Sequence, residues 1–516
     1  MPTPPVIEEK ENDTSLDEKY VGVGIFRFRF NLANFRLGRG LSERRFSIAE
    51  AAVLLILAYI GSRGLGVVRQ TIFNALFGTG PEANAFYAAV RLPDTLFNLI
   101  AGGALTHALI PVFVSYEKDN GRREAWRLVS LVFNVLLVAL TTVILIAEFL
   151  APAFVTHLLV PGYSPQEQAL VTKLTRIMLV QPLILGLGTI VTAVLTSKRQ
   201  FLLPAVSIAI YNFGMIGGLL FSLAIPGVGI YGPTFGVIAA AACQVLIQVP
   251  GLMKRGFRYS FIWNIKHPGL GQVMRLLGPN TLSVAIASVA LIIDTAYASY
   301  LTDRASLAAL HNAQMLFAFP VALLAQAVAQ AALPQMSILA SSGRYKSMRK
   351  LIVKVAGAAV ILSVPCAIGL YLFGKPAIHI LFQHGAFSKH STEDTALALL
   401  GYAVGLPATV GSELLVKSFY ALKDARTPLF TNIFALAGHL GLIILLLKTM
   451  AHSKNVILAI PLAASIAATA EALLLFTILF FRLRAKMKLD KSSEEEGQDE
   501  TFEDEQGEPE VAEEGL

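Results

Sequence analysis

Apolar runs of about 20 residues or more recur along this 516-residue chain, from near Phe46 to near Arg482. A helix of that length crosses the hydrocarbon core of a bilayer. Lipid offers no partner to a backbone N–H or C=O, so each run must satisfy its own hydrogen bonds as α-helix. Only 15% of residues are charged and 55% are hydrophobic, against about 25% charge in a soluble domain. The expected fold class is therefore an all-α integral membrane protein. The first run is not a cleaved leader, because the polar stretch before Phe46 is too long and no small-residue cleavage site follows a short core.

Twelve spans are expected, at about 47–77, 83–116, 125–157, 168–196, 202–225, 231–253, 270–301, 306–340, 346–373, 391–421, 427–448 and 455–481. With the chain starting inside, the inner loops carry 16 lysines and arginines and the outer loops 5. That bias places both termini in the cytoplasm. Residues 1–45 form a polar tail that turns basic at Arg27, Arg29, Arg36, Arg39, Arg44 and Arg45, suited to an anionic leaflet or to an ordinary inner flank. Residues 483–516 turn basic and then acidic, a disordered tail on composition. Because the net charge of +7 is split in this way, it does not point to nucleic acid.

Two punctuation marks repeat. Leu109-Ile-Pro111 closes the second span and Leu333-Pro334 the eighth. The inner loop ending at Pro204 resembles the one ending at Pro428, and the two offsets are nearly equal. The chain thus divides into a six-helix lobe over 46–253, a basic interfacial linker over 254–269 and a second six-helix lobe over 270–482. Six is even, so the lobes share one orientation, with a central site between them.

Ionisable residues inside these runs are the candidate site, since charge at the bilayer centre is costly unless it faces a cavity or a partner. Arg63, Arg69 and Arg91 fall in the first two spans and imply a cationic, water-filled interior. Arg69 and Arg91 could instead snorkel to an interface. Asp94 lies one turn from Arg91, beside Pro93, and Glu413 lies four residues before Lys417, both spacings that allow pairing. Asp294 stands alone in the seventh span, and Asp294 and Glu413 are each candidate ion or pairing sites.

Other chemistries lack their residues. Cys243 and Cys366 sit in apolar runs without metal or disulfide spacing. No HExxH or GxxxxGK[ST] pattern occurs, so no metal, cofactor or ATP hydrolysis is expected, nor an enzyme.

The stretches Ser62-Arg-Gly-Leu-Gly-Val-Val-Arg69, Ala83 to Asp94, Gly102 to Phe113, Phe382 to Phe387 and Phe419 to Pro428 resemble the MurJ/MviN family of lipid II flippases, in the multidrug/oligosaccharidyl-lipid/polysaccharide exporter superfamily. The resemblance covers about residues 46–482 and implies two lobes around a cavity that receives the pyrophosphate-sugar head of a lipid carrier. Alternating access of the lobes then moves that head from inner to outer leaflet for cell-wall synthesis. It implies that Arg63, Arg69, Arg91, Asp94 and Lys417 bind substrate. The chain departs from the family's charge pattern at Gln70, Asn84, Phe97, Gln314 and Met315, and has two spans fewer than most members. The implied partners are the lipid-linked sugar pyrophosphate, membrane lipids and cell-wall synthesis proteins, in a bacterial cytoplasmic membrane. An exporter of another lipid-linked polysaccharide or of a drug is the alternative in the same fold. A non-transporting scaffold for cell-wall enzymes is the alternative of another class.

Overall fold

The computed structural model describes residues 48–100, 104–301, 307–453 and 455–505. The basic N-terminal tail lies outside them. The first half comprises α1 (Ile48–Phe77), α2 (Pro81–Ile100), α3 (Ala104–Asp119), α4 (Arg122–Phe154), α5 (Pro165–Met178), α6 (Val180–Ser197), α7 (Leu202–Ala224), α8 (Tyr231–Leu246) and α9 (Val249–Lys254). The second comprises α10 (Pro268–Ser299), α11 (Leu307–Val321), α12 (Ala327–Ser341), α13 (Tyr345–Phe382), α14 (Lys389–Val404), α15 (Leu406–Ala421), α16 (Arg426–Met450) and α17 (Ala459–Glu505). No strand occurs among the described residues. Eight helical stretches are long and apolar enough to cross a membrane, or nine if α14 and α15, bent by 48°, count as one span. These nine fall on nine of the twelve expected spans. The first, second and seventh expected spans coincide with α1, α2–α3 and α10, which do not reach that measure over the described residues.

Two local expectations change. Pro111 and Pro334 do not close their helices: α3 runs on to Asp119 and α12 to Ser341. A proline there removes one helix bond, and neighbouring helices can tolerate that loss within a membrane protein. The stretch from 483 to Glu505, expected as disordered, continues α17. Its lysines and glutamates are good helix formers, and a helix already nucleated in a packed span propagates cheaply.

The internal repeat is built into the backbone. Ser164 caps α5 and Ser388 caps α14 at equivalent positions of the two halves, each hydroxyl accepting the N–H three positions on. Arg199 and Lys423, separated by the same offset, are the two non-glycine residues with positive φ among the described residues, at 57° and 58°. Each ends a helix in the same paired-bond motif: Gln200 N–H to Leu195 O with Arg199 N–H to Thr196 O, and Asp424 N–H to Phe419 O with Lys423 N–H to Tyr420 O. A left-handed position usually goes to glycine, and a side chain there costs about 1–2 kcal/mol. Packing repeats as well. α1 lies on α7 as α10 lies on α16, and α7 lies on α8 as α16 lies on α17.

Helix α7 meets α8 across small residues at every fourth position: Gly214, Gly218 and Ser222 face Gly232, Gly236 and Ala240. A Cβ on Gly218 would stand 2.6 Å from both Gly232 O and Gly236 Cα. Lipid gives helices no hydrophobic reason to associate, so close backbone approach supplies the packing instead.

The positions of the cores fix the arrangement of the halves. Call the side bearing the loops at 118–127, 198–199, 254–266, 344–350 and 423–426 the basic face. Toward the opposite face one buried core is common to both halves, joining Phe73, Phe86 and Tyr87 to Leu310, Phe382 and Phe387. Toward the basic face the cores separate, one around Trp126, Leu128 and Leu195, another around Met348 and Phe419. The halves are therefore closed at the opposite face. The closure is reciprocal: Ala386 N–H donates to Ala75 O at 2.8 Å, and Gly162 N–H donates to Ser299 Oγ at 3.0 Å. Each pair is the other moved by one repeat, so a loop of each half clasps the end of the other's first helix. The first turns of α10 also pack on the first half, with Leu270 and Val273 in its core near α3.

Candidate functional site

Between the halves lies a cavity of about 380 Å³ lined by α1, α7 and α11. Ser62, Arg63, Gly66 and Arg69 come from α1 and Asn212 from α7, while α11 supplies residues from His311 to Phe319, among them Gln314 and Met315. Arg63 is exposed in the cavity, its guanidinium carbon 5.7 Å from the Phe319 ring centre across the gap. That is cation–π distance. Arg69 Nη1 donates to Asn212 Oδ1 at 3.4 Å. Asn212 is itself held by Ser62, its Nδ2 donating to Ser62 Oγ at 3.0 Å. Among the lining residues two are cationic and none is acidic. Arg63 and Arg69 are about 120° apart around an ideal helix. Arg69 nevertheless reaches the space that Arg63 faces, without any break in α1.

A neutral, buried network closes the cavity toward the opposite face. Gln70 Nε2 donates to Asn312 Oδ1 at 2.8 Å, Asn74 Nδ2 to the same oxygen at 3.1 Å, and Asn312 Nδ2 to Asn74 Oδ1 at 3.2 Å. Gln70 also bonds Tyr87 Oη at 2.5 Å. Asn74 and Asn312 are fully buried, where an unmade bond would be costly. Tyr87 stacks on His311, ring centres 4.1 Å apart, and Asn84 Oδ1 accepts Ala308 N–H at 3.0 Å. Positions 87 and 311, like 84 and 308, are equivalent in the two halves, so the pseudo-two-fold axis passes between α2 and α11 here. Two of the expected charge departures, Gln70 and Asn84, thus bind the halves together. Gln314 and Met315 line the cavity, and Phe97 is half-buried outside its lining.

The other expected site residues are dispersed. Arg91 is half-buried beyond the cavity wall, its Nε buried without a hydrogen-bond partner, within electrostatic reach of His311 and Asp94. Asp94 makes no ion pair with Arg91 among the described residues; Gln181 Nε2 approaches it at 3.5 Å. Glu413 and Lys417 do not pair either. Lys417 Nζ lies 5.5 Å from the Tyr420 ring centre, and Glu413 lies toward Glu471 of α17. Neither lines the cavity. Asp294 is not alone: His439 Nε2 of α16 meets its Oδ1 at 2.7 Å, with side chains 7% and 15% exposed. Among the described residues no cluster could hold a metal ion.

The family model described as lipid II flippase MurJ matches residues 73–493. The chain belongs to that family. The lipid II flippase MurJ of Burkholderia cenocepacia is 30% identical over 376 residues, 71% of this chain and 72% of the relative. A solved lipid II flippase MurJ in an inward closed conformation superposes with a TM-score of 0.70 at 23% identity, covering 83% of this chain and 87% of that one. An inward-facing multidrug transporter of the MATE family superposes with a TM-score of 0.70 at 14% identity, covering 85% and 99%. The MurJ family is one of transporters, not enzymes, and membership implies a lipid-linked substrate and a multi-pass place in a bacterial inner membrane. Asn74, Tyr87, Asn212, His311, Asn312 and His439 are polar residues that sequence reasoning missed. A signal was present for Tyr87 and His311, which lie one repeat apart, but not for the uncharged asparagines.

Proposed function

We propose that this chain carries a lipid-linked peptidoglycan precursor, of the undecaprenyl-pyrophosphate type, from the inner to the outer leaflet by alternating access through the α1–α7–α11 cavity. The observation that carries this reading is the cavity's charge: Arg63 and Arg69 line it and no acid does. Guanidinium groups offer forked donors matched to phosphate oxygens, and outside water that match is strong. An acid-lined cavity would suit a cationic drug, so the drug-exporter alternative ranks lower. Arg91, behind the wall, adds positive potential without touching the head group. Lys417 and the Asp294–His439 pair stand apart from the cavity and serve the second lobe's own packing.

The reading includes twelve spans in two six-helix lobes over 46–253 and 270–482, with both termini cytoplasmic and the basic face inward. The separate cores on that face and the shared core opposite then correspond to a cavity poised to receive substrate from the inner leaflet.

The test is depletion in the native cell, complemented by wild type or by Arg63→Ala, reading the outer-leaflet pool of lipid-linked precursor. Depletion should collapse the pool, and Arg63→Ala should fail to restore it while still reaching the membrane. Full restoration by Arg63→Ala refutes the site. An unchanged pool on depletion refutes the substrate. A requirement for the acidic tail but not for Arg63 would instead favour the scaffold for cell-wall enzymes.

A further inference from the structure

A second polar cavity, of about 590 Å³, opens on the basic face away from the central one. The start of α4 supplies Arg122, Arg123, Trp126 and Arg127 to it, and the strap between the halves supplies Arg258 and Tyr259. Two of the four guanidinium groups have assigned partners: Arg122 donates to Arg255 O, and Arg127 pairs with Glu124 at 2.7 Å. Arg123 and Arg258 have no hydrogen-bond or ion-pair partner among the described residues, and both are exposed. Their charge is available to a ligand.

The strap is a built wall. Tyr259 Oη donates to Asn134 Oδ1 at 2.7 Å, Asn134 Nδ2 donates to Ile262 O at 3.0 Å, and Phe257 stacks edge-on against Trp126. Residues 257–264 form no helix or strand. Phe257 and Ile262 pack onto the first half's core, Tyr259 turns to Asn134 and the pocket, and Phe261, Trp263 and Ile265 point outward at 79, 48 and 65% exposure. Large apolar and aromatic groups on the outer edge of a basic pocket suit the head-group layer of a bilayer, where aromatic rings anchor and cations meet lipid phosphates.

The geometry points to this pocket as a binding site for the phosphate head group of an anionic membrane lipid in the leaflet bordering the basic face. Arg123 and Arg258 hold the phosphate, and the outward side chains of the strap lie among the adjoining acyl chains. The site is distinct from the transport cavity and does not depend on the transported substrate.

Of the chain's two tryptophans, Trp126 lines this pocket and Trp263 stands exposed on the strap beside it, which provides a direct probe. Full-length protein in nanodiscs would be titrated with acyl-brominated phosphatidylglycerol or phosphatidylcholine while tryptophan fluorescence is read, with Trp263→Phe isolating Trp126. Phosphatidylglycerol should quench at a much lower mole fraction. The R123Q/R258Q variant should raise that midpoint by about fivefold per arginine lost, toward the phosphatidylcholine value, and R123K/R258K should largely retain it. Equal midpoints for the two lipids, or an unchanged midpoint in R123Q/R258Q, overturn the site. Displacement of the anionic lipid by millimolar inorganic phosphate would mark a soluble-anion site and overturn the lipid assignment.

Discussion

Replacing Asn312 with Leu should open the halves at the opposite face without unfolding either one. The asparagine accepts from Gln70 Nε2 and Asn74 Nδ2 and donates to Asn74 Oδ1, three bonds that all cross between the halves. Side-chain bonds inside membrane proteins are worth about 0.6–1.5 kcal/mol each. Losing three therefore takes about 2–4 kcal/mol from the closed arrangement, a shift of roughly thirty- to a thousandfold in its equilibrium with an open one. Thr79 Oγ1 and Ser391 Oγ lie 2.7 Å apart on opposite halves and provide the reporter. Cysteines at both positions, with Cys243 and Cys366 replaced by serine, should cross-link rapidly under mild oxidant. In the Asn312→Leu background the cross-linking rate should fall by the same factor as the closed population. An unchanged rate in a protein that retains its thermal midpoint would refute the latch, because the three bonds would then contribute nothing to closure.

Gly218→Leu should prevent α7 from seating on α8, since even a Cβ there stands 2.6 Å from two backbone atoms. Overpacking of this kind costs about 1–3 kcal/mol or more, read as a lower thermal midpoint in detergent, with Gly217→Leu, whose Cβ meets nothing within 4 Å, as the neutral control. His439→Ala strands Asp294 in a buried site, and breaking such a pair costs about 3–5 kcal/mol; Asp294→Asn in the same background should recover much of that loss. At the basic face, burial opposes the Asp424 charge, but bonds from Thr427 and the Arg426 backbone and the nearby Arg482 outweigh it and hold the carboxyl below its usual range. A depressed value means stability present above the ordinary Asp value of about 3.9 and lost as pH falls through the lower folded one. Asp424→Ala should therefore cost about 0.5–2 kcal/mol near neutrality, as loss of a helix-start acceptor does, and its deficit should shrink in acid.

Much of the fold could be read in advance because membrane spans advertise themselves. A long apolar run has few alternatives to a spanning helix, and the repeated punctuation near Pro204 and Pro428 marked two loops that share a backbone motif. Arg63 and Arg69 were legible for the same reason, since a cation in such a run requires a cavity. Asn74, Asn212 and Asn312 were not, because an uncharged amide costs little in a helix and carries no sign of a partner on a helix far away in the chain. Local spacing was a partial guide at Arg91–Asp94, which lie within electrostatic reach of each other without forming an ion pair, and it misled at Glu413–Lys417. Both pairs satisfy helical geometry, yet Gln181, Tyr420 and Glu471 lie close by in the folded chain. Asp294 was recognised as anomalous, but its partner His439 belongs to a helix 145 residues further on.

Contacts in which residue 84 meets 308 and residue 87 meets 311 have the form of an isologous interface, where a surface meets its own copy across a two-fold axis. In a dimer of identical six-span subunits, every side chain at that axis would face its duplicate. Here the two copies are joined in one chain, and the duplicates have diverged. Tyr87 faces a histidine, and Arg63, Arg69 and Arg91 correspond one repeat later to Ala287, Ile293 and Met315. A symmetric dimer could not place its cations on one wall only, because a second set would necessarily stand across from the first. Covalent fusion removes that constraint and allows a single pore to present a charged wall opposite an uncharged one.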